Sequence, residues 1–166
     1  MDRLTLAVAD ILTLELNNKD FDFVIMAGNG DLHLLQSIHH VKTAFQSIRK
    51  HMRTGGCLVL ELTLPSDESW SYPKKVFHPR VPNYTDKKVW KENESRYDAG
   101  DKRHYINQTV YIEDESGLES FEQSVCLQYY ERDSILKLLN ECGFIVKSEY
   151  SNRQKSLGSL LINFGL

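Results

Sequence analysis

The chain has 166 residues, room for one domain with a sizeable core. Its 41% hydrophobic and 26% charged residues are ordinary for a globular protein, and a formal charge of −3 excludes a general nucleic-acid binder while leaving a local basic patch open. Three cysteines (Cys57, Cys126, Cys142) lack metal-ligand spacing and cannot make a complete disulfide set.

Residues 4–9 form a short apolar strand candidate, and Asp10 to Leu16 lead into a polar turn at 17–20. Phe21, Phe23, Val24, Ile25 and Met26 then make an apolar run with β-branched and aromatic members. This is the pattern of a strand covered on both faces of a parallel sheet. Ala27-Gly28-Asn29-Gly30 breaks the run, because glycine and asparagine tolerate turn geometry. From Ile38 the apolar residues take helical spacing through Val41, Ala44, Phe45, Ile48 and Met52, with cations near the negative pole of the helix. His39 and His40 are adjacent on this helix and make a poor metal pair. Gly55-Gly56 is expected to stop the helix, and residues 57–62 to form a second buried strand. Together these predict a right-handed βαβ unit.

All four prolines fall within the next stretch, residues 65–82, which reads as a long loop. Trp70, Tyr72, Phe77 and Tyr84 give it the stickiness of a lid, weighed equally against a structureless excursion. Residues 88–130 alternate apolar and polar between short turns, the signature of an antiparallel meander. Asp133 is expected to N-cap a helix that ends at Gly143, followed by strands at 144–150 and 157–164. No run approaches the ~18 apolar residues of a membrane span, and the start carries no secretory signal, so a cytoplasmic location without membrane association is expected.

The stretch FDFVIMAGNGDLHLL with AFQSIRKHMRTGGCLVLEL resembles the central segment of the class I S-adenosylmethionine-dependent methyltransferases. That family shows an F-D-x-V strand, a G-N-S-x-x-H-L loop, a helix, L-x-P-G-G and a further strand. Here Thr54 stands in the usual proline place and Gly30 where serine is common. ILKLLNECGFIVKSEY resembles the family's later L-L-x-x-A-G-F-x-V helix and strand, with Cys142 in the alanine place. The resemblance implies an α/β, Rossmann-like methyltransferase three-layer sandwich, N-terminally incomplete, with an inserted antiparallel β layer. In it, residues 1–64 and 131–166 would form the core of a single domain spanning 1–166. The inserted loop and meander, 65–130, would be a substrate lid or dimer region.

The implied function is methyl transfer from S-adenosylmethionine to an N or O atom of a small molecule by in-line displacement. The alternative is a non-catalytic methyltransferase-like fragment or interaction module. By resemblance, Asp10 and Ile11 face the cofactor's adenine, while Met26, Ala27, Gly28, Asn29 and His33 lie toward its methionine end. Tyr129, Tyr130 and Arg132, just before the last helix, are the first candidates to touch the methyl acceptor. Should the acceptor need a base, His33, His104 and Tyr130 are unranked candidates.

The family's glycine-rich E/D-x-G-x-G turn, which belongs two strand–helix units before Asp10, does not occur in this sequence. In the family order 3-2-1-4-5-7-6, that leaves the strand at 21–26 with an uncovered edge. Three readings stay open: the chain is a fragment, its first strand slides into the gap, or another chain, including a second copy, covers the edge.

Overall fold

The computed structural model describes residues 4–27, 32–64, 71–78, 86–151 and 159–165. Its elements in chain order are β1 (Phe21–Met26), α1 (Ile38–Lys50), β2 (Met52–Thr63), β3 (Tyr72–Phe77), β4 (Lys88–Asp98), β5 (Arg103–Asp114), β6 (Gly117–Gln128), α2 (Arg132–Glu141), β7 (Ile145–Ser151) and β8 (Ser159–Gly165). Two short 3-10 turns, Ile11–Thr13 and Leu32–Leu34, precede β1 and α1 respectively. The chain divides into two units, residues 1–65 with 130–166, and residues 66–129.

In the first unit β1 and β2 are parallel and α1 joins them, as the sequence pattern requires. The sheet runs β1-β2-β8-β7, with β8 antiparallel to both neighbours. This is the 4-5-7-6 portion of the family order. Side-chain alternation sets the core. Leu58, Leu60 and Leu62 are fully buried on one face of β2, and Val24 and Met26 of β1 pair onto that face. Val41, Phe45 and Ile48 of α1 join them in one cluster with Ile135 and Leu139 of α2. Each such buried side chain contributes about 1.5–3 kcal/mol. On the opposite face, Phe23 and Ile25 are 51% and 63% exposed, so among the described residues β1 is covered on one face and not on both as its apolar run suggests. Among the described residues, both helices therefore cover the same side of the sheet, and β1 pairs on one edge only.

Local chemistry corrects four expectations. Residues 4–9 form no strand, and Leu6 and Val8 stand 85% and 107% exposed. They do not pair with the open edge of β1, so nothing supplies a ladder for them. The Gly55-Gly56 pair does not stop α1, which ends at Lys50 with His51 as its C-cap. Instead it lies within β2, where the pairing jumps from Phe21↔Met52 to Phe23↔Cys57. Gly55 has φ +77° at this bulge, and a Cβ on Gly56 would sit 3.0 Å from the Arg53 carbonyl oxygen and 3.1 Å from that of Phe21. The glycines answer a backbone crowding problem.

The N-cap of α2 is Glu131, without a side-chain cap bond, and not Asp133. The Asp133 carboxylate accepts from Arg132 Nη1 at 2.6 Å and sits in the first turn, where negative charge still suits the helix dipole. Gly143, at φ +85°, closes the far end as expected, its N–H bonded to the Asn140 carbonyl at 2.9 Å. Finally, part of the proline-bearing stretch is ordered as β3, with Pro73 tolerated because β3 is an edge strand.

The second unit is an antiparallel sheet in the order β3-β4-β5-β6. The β5–β6 turn is tight. The Asp114 carboxylate accepts from the Ser116 N–H at 2.9 Å and from its hydroxyl, and Gly117 takes φ +132°. The Ser116 hydroxyl and the Lys87 ammonium hold the Asp114 carboxyl down at about 2.

Candidate functional site

The arm before β1 is shaped by Asp10. Its extended backbone and side-chain oxygen cap the Ile11–Thr13 turn, accepting from the Leu12 N–H at 2.8 Å. Among the described residues the second carboxylate oxygen takes no hydrogen bond. The turn directs Ile11 toward the core, where it packs against the buried cluster, and leaves the Asp10 carboxylate exposed.

A cleft of about 530 Å³ opens between this arm and β1. Ala9, Asp10, Ile11 and Leu14 of the arm line it, with Val24, Ile25 and Met26 of β1, Leu34 and Leu35 after the second 3-10 turn, and Ile48 of α1. Its position at the carboxyl end of a parallel strand is where open α/β sheets take ligands. Aliphatic walls with one carboxylate at the rim suit a flat heteroaromatic ring bearing an exocyclic amine, since the carboxylate can only accept and the walls cover the ring faces. Among the described lining residues Asp10 is the one ionisable group.

Asp10, Ile11 and Met26 are thus brought together in one cleft. Ala27 follows Met26 directly and is exposed. Gly28 and Asn29 lie outside the described residues. His33 is 2% exposed and does not line the cleft, whereas its neighbours Leu34 and Leu35 do.

Tyr130 is buried in the first unit, where its hydroxyl donates to the Leu35 carbonyl and so ties the residue ahead of α2 to the cleft wall. Arg132 is held by carboxylates. Its Nε and Nη2 donate to the two Glu149 oxygens at 2.7 and 2.6 Å, which raises the guanidinium pKa and lowers that of Glu149. Tyr129 belongs to the second unit. It is buried, edge-on to the Tyr97 ring at 6.1 Å and 6.3 Å from the His104 ring, and its N–H donates to the Lys102 carbonyl at 2.8 Å. Burial, with the neighbouring Tyr97, pushes its phenol up to about 12, so it stays protonated and is no base near neutrality. His104 accepts or shares a short hydrogen bond with Ser95 in the same cluster.

Sequence reasoning missed Leu14, Leu34, Leu35 and Ile48 as cleft walls. Ile48 was legible only as a member of the helix stripe, and Leu14, which ends the 3-10 turn, carried no spacing signal.

Neither a family model nor a curated protein matches the sequence. Solved structures do match. An S-adenosylmethionine-dependent methyltransferase from Clostridium acetobutylicum superposes with a TM-score of 0.76 at 15% identity, over 96% of this chain and 63% of that one. DesVI from Streptomyces venezuelae gives 0.71 at 15% identity, over 93% and 62% of the two chains. The sugar N-methyltransferase KedS8 from Streptoalloteichus gives 0.70 at 20% identity, over 93% and 60%. The fold is therefore the Rossmann-like methyltransferase fold, and this chain spans less than two-thirds of the length of each of these structures.

Proposed function

We propose that this chain carries the adenine-binding half of an S-adenosylmethionine-dependent methyltransferase acting on a small molecule. The observation that supports the reading is the convergence of Asp10, Ile11 and Met26 on one aliphatic cleft at the carboxyl end of β1, within a methyltransferase fold. Structural neighbours described as an amino pentose methyltransferase and a sugar N-methyltransferase favour an amine of a sugar-like molecule as acceptor. The cofactor, when bound, supplies an activated sulfonium methyl group for in-line transfer to a nitrogen or oxygen.

The chain's own residues bind and orient. With the cofactor bound, the Asp10 carboxylate would accept from the adenine amine and the Ile11 N–H would be offered to a ring nitrogen. Ile11, Leu14 and Ile48 exclude water from its faces. No nucleophile or metal of the protein is required by such a displacement.

Calorimetric titration with S-adenosylhomocysteine tests the reading, with light scattering on the same sample to report whether a second copy covers the edge of β1. Saturable binding at micromolar or tighter concentration is expected. A folded, monodisperse chain that gives no heat rejects it.

A further inference from the structure

Beside the cleft lies a smaller, open apolar pocket of about 220 Å³, lined by Leu14, Leu16, Phe21, Phe23, Val24, Ile48 and His51. Among the described lining residues His51 is the one polar side chain, and it is 2% exposed. Its Nδ1 lies 2.8 Å from the Ser47 carbonyl oxygen, and its Nε2 lies 3.1 Å from the Leu16 backbone nitrogen. A carbonyl can only accept and a backbone N–H can only donate, so Nδ1 carries the proton and Nε2 presents its lone pair. The two contacts specify one neutral tautomer. They also fasten the arm, 35 residues earlier in sequence, to the C-terminal end of α1. A second tie, from the Phe21 N–H to the His51 carbonyl at 3.0 Å, is pure backbone and does not titrate.

Leu14, Val24 and Ile48 are walls of both cavities, so the arm position that His51 fixes at Leu16 also sets the wall of the cleft. We propose that His51 is a positioning residue for that cleft. As a neutral acceptor it holds the arm carrying Asp10, Ile11 and Leu14 in place, and its protonation releases the arm. A proton on Nε2 would oppose the Leu16 N–H donor to donor, and the charge would sit among aliphatic and aromatic walls. None of the lining partners is titratable. The charged groups on the surrounding elements are Asp10, Glu15, Lys19 and Asp20 of the arm, Asp22 on β1, Arg53 and Glu61 on β2, and Arg49 and Lys50 at the end of α1. Glu15 pairs with Lys19 and Asp22 with Arg53, both at the surface, the Asp10 carboxylate caps Leu12, and among the described residues neither Asp20 nor any other carboxylate lines the pocket around His51. Arm order is therefore full while Nε2 is unprotonated and is lost when it takes a proton.

The effect on ligand affinity rests on the proposed function, but the latch itself does not. Amide hydrogen exchange of the full chain without ligand reads the Leu16 N–H directly. On acidification, corrected for intrinsic exchange, its protection should fall roughly tenfold while the Phe21 N–H changes little. His51→Gln, which keeps an acceptor that does not titrate, should flatten the profile, and His51→Ala should remove Leu16 protection at every pH. Nitrogen-15 shifts of the wild-type imidazole should report the Nδ1–H tautomer, which keeps the test decisive if a variant fails to fold. Flat Leu16 protection in the wild type, or the opposite tautomer, overturns the latch. S-adenosylhomocysteine affinity should fall in parallel with Leu16 protection. Binding at no pH rejects the functional reading and leaves the exchange result to decide the latch.

Discussion

Replacing Asp10 by asparagine separates two roles that one carboxylate plays. The Oδ1 atom caps the 3-10 turn through the Leu12 N–H at 2.8 Å, and an asparagine carbonyl can do the same. What changes is the second oxygen, which becomes an NH2 donor facing the amine that it should accept from. Loss of a hydrogen bond to a charged acceptor costs about 1.5 kcal/mol at the low end suited to an exposed group, roughly tenfold in Kd. Asp10→Ala removes the cap as well, about 1 kcal/mol more, so its affinity should fall by roughly a further fivefold. Calorimetry with S-adenosylhomocysteine measures both, and a thermal melt of each variant checks that the unit remains folded. The analogue with a 6-keto group in place of the amine should show the reverse preference, binding Asp10→Asn better than wild type. Should Asp10→Asn bind S-adenosylhomocysteine within twofold of wild type, the carboxylate does not face the amine and the placement of adenine in this cleft is wrong.

Leu60→Ala, at a fully buried site on the helix-covered face of β2, should destabilise the first unit by about 2–5 kcal/mol in urea unfolding, whereas Val59→Ala on the opposite face should cost well under half of that. Equal costs would mean that the opposite face is packed too. Tyr129→Phe tests the buried phenol. Its folded pKa of about 12 lies above the ordinary 10, so its contribution is complete below pH 10 and is lost as pH rises from 10 toward 12. Unfolding free energies across that window should slope downward in the wild type and less steeply in the variant; identical slopes would show that the phenol is solvated.

The sequence revealed the parts of the fold that local pattern controls. The run at Phe21 to Met26, the stripe from Val41 to Ile48 and the glycine at 143 each appear where periodicity and capping placed them. It failed where one signal serves two ends. Gly55-Gly56 looks the same whether it stops a helix or relieves a crowded strand, and only the closeness of the Arg53 and Phe21 carbonyls decides. An apolar run such as residues 4–9 becomes a strand only beside a partner, and β1 offers none that it uses. At the cleft, Asp10 was legible because a motif surrounds it. Leu34 and Leu35 were not, because a wall is defined by what lies across it. His51 was hidden among the cations of its helix end, and its bond to Leu16 spans a separation that no local pattern encodes.

β8, the last described strand, lies between β2 and β7, with residues 159–165 bonded to 57–63. A growing polypeptide would therefore present β2 with its second edge unmet for roughly a hundred residues, several seconds to tens of seconds at the usual pace of synthesis. The meander, whose strands meet across short turns, can form during that wait, because local pairing closes fast and distant pairing is slow. The first unit is thus completed from its middle and late. Until β8 arrives, the edge of β2 is open to mispairing alongside the outer edge of β1.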